Sequence, residues 1–264
     1  MQRDAGPDPA STAQALAAFY AMAAAHRPGD AYLASKQRLS SGRLELASMW
    51  HKVRDSLDGA TSVLDWGCRH GVFAWLARRE LGDTVALHGC DTVPARTYAP
   101  FHEAAGLAYA QLDHPWHLPY ADASFDVILA GGVLEHVPND TLSLTELWRV
   151  LKPRGRLVLT HLPNRWSASE WLSRRRWPAQ AHLRRYALAE TQRRLLHGGF
   201  APLRSGYHHL VPATLPASDA GDGRGAGARL LERLYGANHV LERVWPLNRL
   251  SATVWIVAEK RSGF

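Results

Sequence analysis

The stretch that most restricts what this chain can become is Ser62-Val63-Leu64-Asp65-Trp66, which runs into Gly67-Cys68-Arg69-His70-Gly71 and then into Val72, Trp75 and Leu76 at helical spacing. An apolar run of strand length, a glycine turn and an amphipathic helix make the first half of a βα unit. Glycines at such a turn allow tight curvature and close approach of a ligand, and the free amides of the helix N-terminus favour an anion there. Asp65 adds an acid at the strand end. A diphosphate would be repelled by it, whereas the ammonium and carboxylate of an amino-acid moiety would both be matched. Gly67 and Gly71 also fail to complete the G-x-G-x-x-G fingerprint of dinucleotide binding.

Short apolar runs alternate with helical periodicity after this point, as in successive βα units of a parallel sheet. Five strands are expected at 62–66, 85–90, 107–112, 125–130 and 156–162, with two more at 202–210 and 252–259. Asn139-Asp140-Thr141 caps an amphipathic helix carrying Leu142, Leu144, Leu147 and Trp148 and closed by Lys152 and Pro153. The expected fold is therefore α/β: a Rossmann-like, doubly wound, seven-stranded and mostly parallel sheet. Residues 1–12, rich in Pro, Asp, Gly and Ser, read as a disordered start. The remainder, 13–264, reads as one domain: N-terminal helices within 13–60 (13–25 and 44–57), a ligand-binding core at 61–162, a segment at 163–250 that includes a helical insertion, and the last strand at 251–260. In that insertion 218–227 reads as a flexible stretch, and Leu230, Leu231, Leu234, Leu241, Val244 and Trp245 recur at helical spacing, with Arg229, Glu232, Arg233, Glu242 and Arg243 opposite them.

Asp91 ends the second strand, where an acid can accept hydrogen bonds from both hydroxyls of a ribose. Asp113 ends the third, and Leu118-Pro119-Tyr120-Ala121-Asp122-Ala123-Ser124-Phe125-Asp126-Val127 leads into the fourth, followed by Gly131-Gly132-Val133-Leu134-Glu135-His136. In this order the residues resemble the class I S-adenosylmethionine-dependent methyltransferase family, most nearly its small-molecule and quinone branch (methyltransferase type 11-like), over about residues 60–200. The resemblance maps the family's Asp-x-Gly-x-Gly-x-Gly loop to Asp65, Gly67, Arg69 and Gly71, its ribose acid to Asp91, its adenine-contacting acid to Asp113, and its Leu-Lys-Pro-Gly-Gly turn to Leu151-Lys152-Pro153-Arg154-Gly155. It implies S-adenosyl-L-methionine as cofactor, contacted by Asp65, Gly67, Cys68, Gly71, Asp91, Thr92, Asp113 and Gly131. Arg69 and Arg154 stand where the family has glycine. If position 69 needs a positive φ, a non-glycine residue costs about 1 kcal/mol, and its side chain must point away from the cofactor.

Ligands of open α/β sheets bind beyond the carboxyl ends of the strands, which selects His136 and His161 as catalytic candidates beside the transferred methyl. Asn164, Trp166, Arg185 and Tyr186 are the candidate acceptor-binding residues, in a segment where Trp166, Trp171 and Trp177 interleave with Arg174, Arg175, Arg176, Arg184 and Arg185. Aromatic walls with arginines suit a flat or anionic acceptor. The leading expectation is O-methylation of a small-molecule or lipid-like acceptor. The alternatives are an RNA methyltransferase using the arginine-rich segment as a phosphate track, and a non-catalytic S-adenosylmethionine-binding protein.

The net charge of +7 permits an acidic partner without choosing one. No recognisable RNA module or Asn-Pro-Pro-Tyr signature follows the fourth strand, so nucleic acid is a weak expectation. No apolar run approaches the length of a membrane span, although the late amphipathic helix could rest on a membrane surface. Two cysteines, Cys68 and Cys90, argue against a disulfide framework and for a cytoplasmic setting. No spacing suggests a metal site. The oligomeric state leaves no mark in the sequence.

Overall fold

The computed structural model describes residues 8–38, 40–114, 116–176, 178, 182–213, 230 and 233–262. A seven-stranded sheet runs in the order β3-β2-β1-β4-β5-β7-β6. Its strands are β1 (Ser62–Trp66), β2 (Ala86–Asp91), β3 (Leu107–Gln111), β4 (Phe125–Gly131), β5 (Leu151–Pro163), β6 (Phe200–His208) and β7 (Thr253–Lys260). The first five pair in parallel, and β7 inserts antiparallel between β5 and β6. The chain leaves β1 toward β2 and β3, then returns to the other side of β1 as β4. In open α/β sheets ligands bind at such a reversal, here at the carboxyl ends of β1 and β4.

Strands buried on both faces need apolar residues at successive positions, one for each face. Val63, Val127 and Val158 accordingly join a core with Leu16, Phe19 and Trp50, while Leu64, Ile128 and Leu157 join another with Leu147, Leu195 and Phe200. The first core takes its helical side chains from α1 (Pro9–His26), α3 (Ser40–Val53), α4 (Val72–Leu81) and α5 (Ala99–Ala104); the second takes them from α6 (Asp140–Val150) and α8 (Leu188–His197). Helix α2 (Ala31–Arg38) adds Leu33 to the first core, and α7 (Ala168–Arg176) follows β5.

Three expectations are corrected. The chain is helical from Pro9, not from residue 13: Asp8 caps α1 by accepting from the Ser11 N–H at 2.7 Å, and Thr12 is buried against His51 Nε2 at 2.9 Å. Asp before Pro is an N-cap followed by the first helical residue, a pattern that composition alone reads as a loop; residues 1–7 lie outside the described residues. Strand β5 begins at Leu151, which pairs with Phe125, and the 152–155 turn bulges out of it before pairing resumes at Arg156 with Val127. The late segment is not one helix either. A single turn, Asn238–Leu241, is followed by a cis Trp245–Pro246 bond and a 3-10 turn, Leu247–Leu250. Asn238 is buried and clamps the backbone of Leu210 and Val211, and Glu242 faces inward, accepting from Lys52 and from the His209 N–H. Residues 218–227, Arg229, Leu231 and Glu232 lie outside the described residues.

Candidate active site

The turn after β1 is built by backbone geometry that only some residues tolerate. Gly67 has φ 69°, and a Cβ there would lie 2.5 Å from Val133 Cγ2, so any side chain would collide with the loop after β4. Gly71, at φ 74°, is the N-cap of α4. Between them Arg69 takes φ 48° without being glycine, and its side chain turns toward the N-terminal helices: it reaches Tyr98 Oη at 3.4 Å and Asp30 Oδ2 at 3.9 Å and lies over the Tyr32 ring. The departure from the family glycine is therefore accommodated as its geometry requires. Arg154, the other replaced glycine, also has a positive φ, 63°.

The acids meet around this turn. Asp65 is 2% exposed and accepts from the Ala74 N–H at 3.0 Å. Burial pushes its carboxyl up to about 7, and Asp91 nearby adds to the rise against the Ala74 hydrogen bond. Asp91, at the end of β2, accepts from the Arg69 N–H at 2.9 Å and from the Val93 N–H at 3.3 Å, which fixes its carboxylate beside the turn after β1. His102, stacked on Tyr109, bonds the Arg69 carbonyl through Nε2 at 2.7 Å, and the Tyr109 hydroxyl donates to the Asp91 and Val93 carbonyls. Thr92 and Asp113 are exposed beside this rim. Cys68 is buried in the core and its thiol is pushed up by burial, so it is a wall and not a nucleophile. Gly131 lets Phe73 approach: a Cβ there would lie 2.2 Å from Phe73 Cε2. The cofactor candidates thus come together at the ends of β1, β2 and β4, with Asp113 just past β3.

The acceptor candidates separate. His136 is exposed, its Nε2 3.8 Å from Glu135 Oε1 and its ring 6.1 Å from that of His182. Burial, His182 and Arg69 lower its pKa, which keeps the imidazole neutral near pH 7. His161 has both ring nitrogens engaged, Nδ1 with Thr160 Oγ1 and Nε2 with Glu45 Oε1, each at 2.9 Å. Both nitrogens are thus already engaged within the chain, and the Glu45 contact ties His161 to α3. Asn164 is fully buried and donates through Nδ2 to the carbonyls of Arg249 and Ser251 at 2.8 Å, while its Oδ1 accepts from the Trp166 N–H. It ties the segment after β5 to the turn before β7 and offers no group to an acceptor, which corrects its expected role.

Trp166 is exposed. Arg185 and Tyr186 line a cavity of about 380 Å³ with Asp140, Arg165, Glu190 and Arg194. Within the arginine-rich segment, Arg184 donates to the carbonyls of Leu134 and Val137, Arg174 to that of His182, and Arg175 lies over Trp171. Arg184 and Arg174 thus spend part of their donor capacity within the chain. Trp177 lies outside the described residues.

Three features had no local signal. Glu45 on α3 gathers His161, Lys36 and His208. His70 is enclosed by Phe19, Tyr20, Tyr32 and Tyr98, and burial lowers its pKa to about 3. His182 stands beside Glu135 and His136 because Arg184 pins its segment to the loop after β4.

Residues 64–159 match the family described as "Methyltransferase domain". The stretch from β1 into β5 is similar to that family. An uncharacterized methyltransferase of Mycobacterium sp. (strain JLS) is 33% identical over 116 residues, 44% of either chain. A demethylmenaquinone methyltransferase of Deinococcus radiodurans is 36% identical over 118 residues, 43% of this chain and 45% of the relative. The chain thus matches less than half the length of these curated relatives. Among solved structures, the Burkholderia thailandensis 1,6-didemethyltoxoflavin-N1-methyltransferase, with its namesake substrate and S-adenosylhomocysteine bound, superposes with a TM-score of 0.57 at 16% identity, covering 99% of each chain. That likeness is one of fold. Among the described residues, no helix is long and apolar enough to cross a membrane.

Proposed function

We propose that this chain transfers a methyl group from S-adenosylmethionine to an oxygen of a small or lipid-like acceptor by in-line displacement. One observation carries the reading: two acids, Asp65 and Asp91, close the ends of adjacent strands around a glycine turn, and burial with the neighbouring Asp91 charge raises the Asp65 carboxyl to about 7. An ammonium-bearing ligand fits that corner, because its charge favours the ionised carboxylate that burial disfavours. A diphosphate does not fit.

In this reading Asp65 and the free amides opening α4 bind the amino-acid end, Asp91 the ribose hydroxyls, and Asp113 the adenine amino group. The bound cofactor supplies an electrophilic methyl. The protein's contribution is to hold the acceptor atom about 3 Å from it, in line with the breaking bond. His136, neutral and facing the open side beyond β4, is placed to receive the proton of an acceptor hydroxyl. His161, held by Glu45, positions the β5 wall.

Calorimetry with S-adenosylhomocysteine, followed by transfer of labelled methyl from S-adenosylmethionine into fractions of a cell extract, tests the proposal. A single saturable site and a labelled small molecule are expected. No heat of binding at neutral pH overturns the cofactor reading, and label recovered only in RNA or protein overturns the acceptor class.

A further inference from the structure

The sequence offers no spacing that suggests a metal, yet the fold assembles one ligand set on the acceptor side. We propose that Glu135, His136 and His182 hold a divalent transition-metal ion just beyond the carboxyl end of β4. Each offers one ligand atom, and the three atoms lie within 4.8 Å of one another. The Glu135 side chain is 4% exposed, and its buried Oε2 has no hydrogen-bond partner. A buried carboxylate oxygen without a partner is costly unless something satisfies it.

The surroundings of His182 point the same way. Its Nδ1 lies 3.2 Å from Glu170 Oε2, and its backbone N–H donates to Glu170 Oε1 at 2.8 Å. A carboxylate on one ring nitrogen that leaves the other free is the usual support of a metal-bound histidine. Here Glu170 takes Nδ1 and leaves Nε2 for the ion. A tetrahedral ion with bonds of about 2 Å needs its ligand atoms about 3.3 Å apart. The contraction is small, and the exposed His136 ring is free to make it.

Two imidazoles and one carboxylate favour zinc, iron or nickel over magnesium or calcium. Three protein ligands leave a coordination position open, and this set faces the side where the proposed acceptor arrives. The inference rests on the acceptor-side reading of the previous subsection. With an ion bound, His136 acts as a ligand, and the ion polarises an acceptor oxygen in its place.

A second group, Glu45, His208 and His209, also lies within 4.8 Å. It is already supplied with positive charge: Lys36 Nζ is 3.3 Å from Glu45 Oε2, and Lys52 lies beside both His208 and Glu242. Another cation there would meet two ammonium groups.

The test is a titration of the full chain with Co²⁺ alone, read by its visible absorption, with Mg²⁺ as a competitor. One ion per chain is expected, undisplaced by equimolar Mg²⁺. Glu135→Gln and His182→Ala should abolish uptake, Glu170→Gln should weaken it about 10- to 100-fold, and His209→Ala should leave it unchanged. Should His182→Ala fail to fold, as judged by circular dichroism, His182→Gln takes its place. No stoichiometric uptake, unchanged affinity in the His182 or Glu135 variants, or loss of uptake in His209→Ala overturns the inference. S-adenosylhomocysteine calorimetry on the same samples separates the two readings: heat without cobalt uptake sinks only the metal site, and cobalt uptake without heat sinks only the cofactor site.

Discussion

The raised Asp65 carboxyl gives the cofactor reading a quantitative consequence. In the free folded chain this group keeps its proton until about pH 7, against an ordinary value of 3.8. The sign follows from that order. Asp65 costs the free fold nothing below pH 4, and its ionisation lowers stability progressively as pH rises to 7, by a total of about 4 kcal/mol. A ligand whose ammonium requires the ionised carboxylate reverses the preference. Its affinity should level off near pH 8, before the ligand's own ammonium deprotonates, and fall tenfold per pH unit below 7, so that binding at pH 5 is about 100-fold weaker than on the plateau.

The other groups facing Asp65 are Asp91, Cys68 and Cys90; both thiols are pushed up by burial and stay neutral throughout this range. Glu135 is raised to about 7 as well, by burial, and needs its own control. Calorimetry with S-adenosylhomocysteine from pH 5 to 8 measures the slope. Asp65→Asn, which keeps an acceptor for the Ala74 N–H, should bind weakly at every pH with no slope, and Glu135→Gln should keep the slope intact. A flat profile in the unmodified chain, or a slope surviving in Asp65→Asn, refutes the pairing of Asp65 with a cation.

Three further outcomes follow from the geometry. His136→Ala should lower methyl transfer at least 100-fold, the ordinary contribution of a positioned base, with S-adenosylhomocysteine affinity changed less than threefold; equal losses in the two assays would make His136 a cofactor residue. Asn164→Ala removes the partner of two buried carbonyls and should cost about 3 kcal/mol in urea denaturation with cofactor affinity intact, whereas unchanged stability would return Asn164 to the acceptor site. Gly131→Ala places a Cβ against Phe73 and should cost about 1–3 kcal/mol; Phe73→Leu in the same chain should recover part of that loss, and a neutral Gly131→Ala would show that β4 is free to move there.

What the sequence made legible was local. Strand β1, the glycine turn and α4 could be read because their periodicity and their ligand chemistry sit in consecutive residues, and the sheet followed from repetition of that unit. Arg69 could be expected to adopt a positive φ because the turn requires one. The destination of its side chain, Asp30 and Tyr98, depended on how the N-terminal helices dock. The late segment misled because hydrophobic spacing describes a face without saying whether the backbone continues: Gly236, the clamped Asn238 and Pro246 each interrupt it.

His161 and Asn164 show a different limit. A histidine and an asparagine after a strand are chemically suited to an acceptor, but a partner 116 positions away on α3 had already claimed the one, and two carbonyls before β7 the other. The same distance in sequence hid what the fold supplies. Glu135 and His136 are neighbours and signal little alone; His182 joins them only because Arg184 anchors its segment to the Leu134 and Val137 carbonyls. Cutting that anchor with Arg184→Ala should therefore weaken cobalt binding while every ligand remains. Unchanged cobalt affinity in that variant would mean that the three ligands are held together by something other than this loop contact.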